Sequence, residues 1–389
     1  MTFQEIKEQD GQYILHTYGR VDAALVKGKN ARAWDADGKE YVDFTSGIGV
    51  NALGYADPEW AAAVAGQAGE IQHLCNYYYT PQDTALAAAL CTAAGMGQAF
   101  FCNSGAEANE CAFKVARKYG EKRGASTILT LTDSFHGRTL ATLAATGQEV
   151  FHKDFQPLNP GFLHVPGNDL EAVAQKLDGG ICAVMVESVQ GEGGVVPMDG
   201  VYLQKLSALC KEKDVLFMLD EVQTGVGRTG YFYSYQQWGI TPDVVTTAKG
   251  LGGGLPIGAC MVAEPLRDIL KPGQQGSTFG GNPVVCAGAR VVVERVSKPA
   301  FLEEVKEKGE YFCQKLQELP QVEAVRGRGL MLGIRLKKGD AHDVLVKCAQ
   351  RGLLVLTAKD LVRLLPPLTI TREDIDEGLA IFAGVLAEL

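Results

Sequence analysis

The chain has 389 residues, 46% of them hydrophobic and 21% charged, with a formal net charge of −9. That balance is ordinary for a globular protein, excludes a disordered or fibrous chain, and suits one large domain with a smaller one attached. The acid excess argues against nucleic acid as a partner, no apolar run approaches membrane-span length, and the 10 cysteines form neither a C-x-x-C pair nor a zinc-spaced set with histidine, so no metal is expected.

In chain order, residues 1–12 read as a polar lead-in without a signal-type apolar core, which points to the cytoplasm. Residues 13–43 read as short strands at 24–26, 33–34 and 41–44, separated by turns at 27–30 and 35–38; Asp37-Gly38 is a hairpin signal. Alanine-rich segments 58–69 and 81–94 read as helices, the second with Thr80 as N-cap and Pro81 in its first turn. A short strand at 99–102 turns through Ser104-Gly105 into a helix running to about Tyr119. The free N–H groups of such a helix start, over Ser104, Gly105 and Ala106, favour an anion; Ser104 with Glu107 also reads as a capping box. Strand 126–131 leads to Ser134-Phe135-His136-Gly137-Arg138-Thr139. Strand 181–187 carries Glu187 at its carboxyl end, ahead of Ser188 and the Gly191-Glu192 loop. Strand and helix alternate from about 97 to 262, which argues for a mainly parallel sheet covered by helices. Beyond it come a loop at 273–283, a helix from 284 to about 296, strands at 329–334 and 352–356, and Arg363-Leu364-Leu365-Pro366-Pro367.

Two of these strands carry the chemistry. The apolar run 215–219 ends in Asp220-Glu221, and the run 243–247 ends in Ala248-Lys249-Gly250. Ligands bind outside the carboxyl ends of the strands in open α/β sheets, so an acid and a lysine arrive at one edge. Pyridoxal phosphate needs that pair: a lysine to bond its aldehyde, and an acid to keep the pyridine nitrogen protonated as an electron sink. By residue type alone Lys249 is a solvated surface lysine, and Asp220 is as readily a helix cap. Gly250, Gly252, Gly253 and Gly254 tilt the reading, because glycine clusters mark strained turns or close approach. No G-x-x-x-x-G-K-[ST] frame supports a nucleotide phosphate loop instead.

The stretches LDEVQTGVGRTG, TTAKGLGGGLPIGA and GSTFGGNP resemble the ornithine-type (subgroup III) aminotransferases of the fold type I pyridoxal phosphate enzymes, and the similarity runs from about Tyr13 to the C-terminus. The resemblance implies an α/β fold with a large cofactor-binding domain over 56–283 and a smaller α+β domain built from 1–55 and 284–389. It implies Lys249 as cofactor lysine and proton carrier, Asp220 at the ring nitrogen, Gln223 at the ring hydroxyl with Glu221 and Val222 beside them, and Phe135 stacked on the ring. Ser104, Gly105 and Ala106 would hold the phosphate of pyridoxal 5'-phosphate. Thr278 would reach the phosphate of the neighbouring subunit in a homodimer with shared active sites, with Ser277 near substrate. Arg138 would grip a substrate carboxylate, although a loop arginine alone reads as a surface ion-pair partner. Arg363 would bind an α-carboxylate, with Glu192 as its gate. Ala106 stands where the family commonly has threonine, Ser188 where it has proline, and Tyr55-Ala56 where it has a histidine-bearing loop; Ser188 should loosen its turn. The implied reaction, a step of arginine biosynthesis, joins N2-acetyl-L-ornithine and 2-oxoglutarate to give N-acetyl-L-glutamate 5-semialdehyde and L-glutamate. Ornithine, succinylornithine and 4-aminobutyrate are rival donors. An isomerase that moves an amine within one molecule is a more distant reading, and a cofactor-binding regulator without turnover is the non-enzymatic one.

Overall fold

The apolar run before Asp220 forms the strand Leu216–Asp220 in the computed structural model, which describes residues 1–389. Its side chains divide between two cores. Phe217 and Leu219 join a cluster with Leu86, Leu203 and Leu206, whereas Leu216 and Met218 join another with Phe113 and Ile128. A strand covered by helices on both faces has no polar side to show, which is why the run does not alternate. Burial of each such side chain is worth about 1.5–3 kcal/mol before the entropy of ordering is set against it.

This strand lies at the centre of a seven-stranded sheet in the order Gln98–Cys102, Gly258–Val262, Val244–Thr247, Leu216–Asp220, Ile181–Val186, Thr127–Leu131 and Phe162–Val165. Gly258–Val262 runs antiparallel to both of its neighbours, and the other pairings are parallel. One edge of the sheet therefore collects the carboxyl ends that lead to Ser104, Phe135, Glu187, Asp220 and Lys249. The helices Pro58–Glu70 and Pro81–Ala94 form as expected, and Thr80 Oγ1 accepts the N–H groups of Gln82 and Asp83.

Two further sheets draw on the ends of the chain. Leu25–Lys29, Arg32–Asp35 and Glu40–Asp43 pair in succession, and Leu353–Leu354 adds beside the last, with Leu353 opposite Val42. A further sheet orders Val322–Arg328, Met331–Leu336, Leu361–Leu364 and Leu356–Ala358.

Several expectations are corrected. The lead-in is the helix Phe3–Tyr13, started by a capping box between Thr2 and Glu5 that the polar composition concealed. Lys27–Lys29 belong to a strand; the chain turns instead at Asn30, whose φ is 49°. The single strand expected at 352–356 is two short ones that join different sheets. The helix Pro283–Val296 packs chiefly on Pro58–Glu70 and Pro81–Ala94, and against the turn after Lys249. Gly288 permits that seat, because a Cβ there would lie 2.8 Å from Trp60 Nε1. Ser188 does not loosen its turn: it is fully buried, and its Oγ meets Ser234 Oγ at 2.5 Å.

Candidate active site

Register brings the acid and the lysine together. Asp220 is paired with Thr246 on the neighbouring strand, and Lys249 follows three residues later. Lys249 heads a one-turn 3-10 helix, Lys249–Gly252, with a left-handed φ of 43°. A non-glycine residue held in that region marks strain that the surrounding fold must maintain. The glycines after it relieve packing elsewhere: a Cβ on Gly252 would lie 3.1 Å from Ile257, and one on Gly253 2.7 Å from Trp60 Nε1. They do not make room for the lysine itself. Desolvation lowers the Lys249 pKa, opposed by the nearby Glu192 carboxylate.

Asp220 is 4% exposed and held from three sides. Its Oδ2 accepts from Asn109 Nδ2 at 2.8 Å and meets His136 Nδ1 at 2.8 Å, while its Oδ1 accepts the Val222 N–H at 3.0 Å. Burial disfavours charge on His136, but the adjacent Asp220 carboxylate outweighs it and raises the histidine pKa. Asn109 and His136 were not singled out from the sequence as site residues. Asn109 lies on the helix Gly105–Gly120, and an amide in the otherwise apolar run of its buried face was the available signal. Glu221 corrects the reading that grouped it with the cofactor residues. Its carboxylate accepts from Thr224 Oγ1 at 2.6 Å and the Ser234 N–H at 3.2 Å, and it does not line the cavity. Those contacts do not overcome desolvation, which raises its pKa to about 7.

The helix Gly105–Gly120 opens onto the same space. Ser104 caps it, its Oγ accepting the Glu107 N–H at 3.1 Å. The reciprocal half of the expected box is displaced by one residue, since Glu107 Oε2 accepts the Asn103 N–H at 2.5 Å. The first N–H groups of the helix, on Gly105 and Ala106, have no intrahelical acceptor and border the cavity. Ala106 can offer only its backbone there. Gly105 allows Val222 to approach, because a Cβ would lie 2.7 Å from Val222 Cγ1. Across the cavity, the Phe135 N–H donates to Glu187 Oε2 at 2.9 Å and Glu187 Oε1 accepts the Gly191 N–H at 3.3 Å. Glu187, at the carboxyl end of its strand, thus ties the Phe135 loop to the Glu192 loop.

Glu192 completes the wall, and Arg363 stands outside the lining, joined to it through Glu192 and Gln223. Arg363 is 3% exposed, and its Nη1 donates to Glu192 Oε1 at 2.6 Å and to Gln223 Oε1 at 3.4 Å, while its Nε has no partner. Burial alone would raise the Glu192 pKa, but Arg363 pulls it below the ordinary carboxylate value. Gln223 bridges the pair in this arrangement, its Nε2 lying 3.5 Å from Glu192 Oε1. Arg138 is exposed, joins no ion pair, and lies 4.1 Å from the Phe151 ring centroid and 5.4 Å from that of Phe135.

These groups enclose a cavity of about 590 Å³. Its contents fit pyridoxal phosphate: an anion-binding helix start, the aromatic ring of Phe135, a buried carboxylate fixed by two side chains, and a desolvated lysine. Ser277 and Thr278 lie outside it. They border a different surface pocket with Asn76 and Tyr77, and Ser277 Oγ accepts from Asn103 Nδ2 at 3.1 Å. No group of three histidine, cysteine or acidic side chains is arranged to hold a metal ion, and no helix is long and apolar enough to cross a membrane.

The model of the family Aminotransferase class-III matches residues 13–386. An acetylornithine aminotransferase of Haemophilus ducreyi is 48% identical over 394 residues, covering 100% of both chains. A succinylornithine transaminase of Photorhabdus laumondii is 44% identical, covering 94% of each. Among solved structures, the ornithine aminotransferase of Toxoplasma gondii superposes with a TM-score of 0.95 at 30% identity, covering 100% of this chain and 96% of that one.

Proposed function

The chain belongs to the class-III aminotransferases, which depend on pyridoxal phosphate, and from that premise we propose that it moves the terminal amino group of N2-acetyl-L-ornithine to 2-oxoglutarate. The products are N-acetyl-L-glutamate 5-semialdehyde and L-glutamate. The observation that carries this reading is the Arg363–Glu192 pair beside an uncommitted Arg138. Glutamate brings two carboxylates to the site and acetylornithine brings one. Arg138 holds the carboxylate that both possess, the planar fork of guanidinium matching its two oxygens. Arg363 is needed only for the second, and Glu192 covers its buried charge when the donor has nothing to offer it.

Pyridoxal phosphate, when bound, joins an amine at its aldehyde carbon and withdraws electrons from the carbon beside that nitrogen. Lys249 Nζ, held towards the neutral amine by desolvation, can take a proton from the reacting carbon and return it to the carbon on the other side of the nitrogen. Asp220 would hold the proton on the ring nitrogen, with Asn109 and His136 fixing its orientation. The N–H groups of Gly105 and Ala106 would bind the phosphate, and Phe135 would cover the ring.

We read the active unit as a homodimer. Ser277 and Thr278 border a surface outside their own cavity, Ser277 tied to its margin through Asn103, from which they could close the phosphate end of another subunit's site. The compartment in this reading is the cytoplasm, where ten free cysteines would stay reduced. The succinylornithine relative supports a second donor with a longer acyl group. Initial rates with N2-acetylornithine, N2-succinylornithine, ornithine and 4-aminobutyrate, each with 2-oxoglutarate, test the assignment. The highest kcat/KM should belong to N2-acetylornithine; a higher value for any other donor reassigns the substrate.

A further inference from the structure

A second cavity, of about 300 Å³, lies where the turn between Val322–Arg328 and Met331–Leu336 meets the helix Pro299–Gln317 and the loop bearing Thr229. Glycine lets the three backbones meet: a Cβ on Gly309 would lie 2.4 Å from Gly329 O, and one on Gly329 would lie 2.7 Å from Arg228 O. Two polar groups bordering this cavity lack partners. Thr229 is 4% exposed and its Oγ1 makes no hydrogen bond; Arg328 Nε is also buried and makes none. The terminal nitrogens of Arg328 reach only neutral acceptors, Gln237 Oε1 at 3.5 Å and Met198 O at 3.4 Å, and its guanidinium lies 5.2 Å from the Trp238 ring centroid. Arg326, two residues earlier on the same strand, donates to Gly194 O at 2.7 Å and joins no ion pair. Lys306 is paired with Glu303, and Glu310 is an exposed acid at the rim. Neither arginine is in an ion pair, and burial lowers the pKa of both despite the more distant acids Asp199, for Arg328, and Asp360, for Arg326.

We propose that this cavity binds one small oxyanion, a carboxylate or phosphate group, between Arg328 and Thr229. Such a ligand supplies the acceptor that Nε and the hydroxyl lack, and the counter-charge that the two arginines lack. Calorimetric titration of the cofactor-loaded enzyme with inorganic phosphate, and separately with malonate, tests it at constant ionic strength. Cofactor absorbance recorded alongside registers binding at the active site separately. The expected result is saturable binding of one anion per chain that leaves the absorbance unchanged. It should weaken about tenfold or more in Thr229→Val and in Arg328→Gln, each of which removes a hydrogen bond to a charged ligand. Binding of phosphate alone identifies a phosphate-bearing ligand, and of malonate alone a carboxylate-bearing one. No absorbance-silent binding to the wild type overturns the proposal, because the cavity then holds only water. Binding to Thr229→Val as tight as to the wild type overturns it equally, and this near-isosteric variant carries the test should Arg328→Gln not fold.

Discussion

Replacing Glu192 by alanine should separate the two half-reactions. Arg363 is 3% exposed, and Glu192 Oε1 at 2.6 Å is its close acceptor, with Gln223 Oε1 a weaker one at 3.4 Å. Removing one partner of a buried ion pair costs about 3–5 kcal/mol. The Glu192 side chain is 27% exposed, so water reaches it in part. That contact reduces the expected figure to about 2–3 kcal/mol. In the acetylornithine half nothing replaces the lost carboxylate and the penalty persists in every state, so the ratio of kcat/KM for glutamate to that for acetylornithine should rise by about thirty- to 160-fold. In the glutamate half the substrate's second carboxylate takes the place of Glu192 without a pair to break first, so apparent affinity should rise. Arg363→Ala should do the reverse, harming glutamate and 2-oxoglutarate while sparing acetylornithine. Stopped-flow absorbance of the cofactor, with each substrate mixed singly, reads the halves apart. Equal losses in both halves for both variants would refute the masking argument.

Asp220→Asn should preserve the fold, since the amide can still meet Val222 N–H and fill the same volume, yet slow turnover by about 3–4 kcal/mol, the scale of losing one electrostatic partner in a buried site; a near-normal rate would make Asp220 structural. Gly105→Ala should destabilise by about 1–3 kcal/mol and weaken cofactor binding, because its Cβ meets Val222 Cγ1 at 2.7 Å. Adding Val222→Ala should restore part of both, and no rescue would mean that the clash is not the cause. In cofactor-free protein Lys249 has a pKa depressed below the ordinary 10.5, so between the two values the unfolded chain binds the extra proton and stability rises with pH. Urea midpoints of wild type and Lys249→Met should therefore converge or cross as pH increases towards 10.5, and parallel profiles would show that the lysine is not desolvated.

What could be read from the sequence was what is local. An apolar run closed by an acid and another closed by a lysine identify two adjacent strand ends, and the register of Asp220 against Thr246 needs no distant contact. The N-terminal helix was equally local, and Thr2 with Glu5 three residues on was its signature. It was passed over because none of its residues is buried, so no apolar stripe announced it. Val322–Arg328 escaped for a related reason: it is a sheet edge with two exposed residues and three arginine or glutamate side chains among seven, far from the apolar pattern of the central strands.

The site divides along the same line. Successive strand residues face opposite ways, so the side chains of Asp220 and Glu221 diverge at the strand end, and that alternation was available from the sequence alone. Asp220 follows Leu216 and Met218 to the face covered by the helix of Asn109, whereas Glu221 turns into the contacts of Ser234 and Thr224. The gate is another matter. Glu192 and Arg363 are separated by 171 residues: Glu192 stands in the turn after Val189–Gln190, and Arg363 on the strand Leu361–Leu364 of a sheet assembled from the end of the chain. No periodicity or spacing relates them. Their meeting at 2.6 Å depends on the loop that Glu187 ties to Phe135 and on the strand Leu361–Leu364, which Gly333 and Leu356 hold in register. In the proposed reaction, substrate choice therefore rests on a contact between a loop of the large sheet and the C-terminal sheet, whose side chains share one core, while the roles proposed for Lys249 and Asp220 depend on one pair of neighbouring strands. Substitutions at that contact should alter which amine is accepted before they alter whether any is.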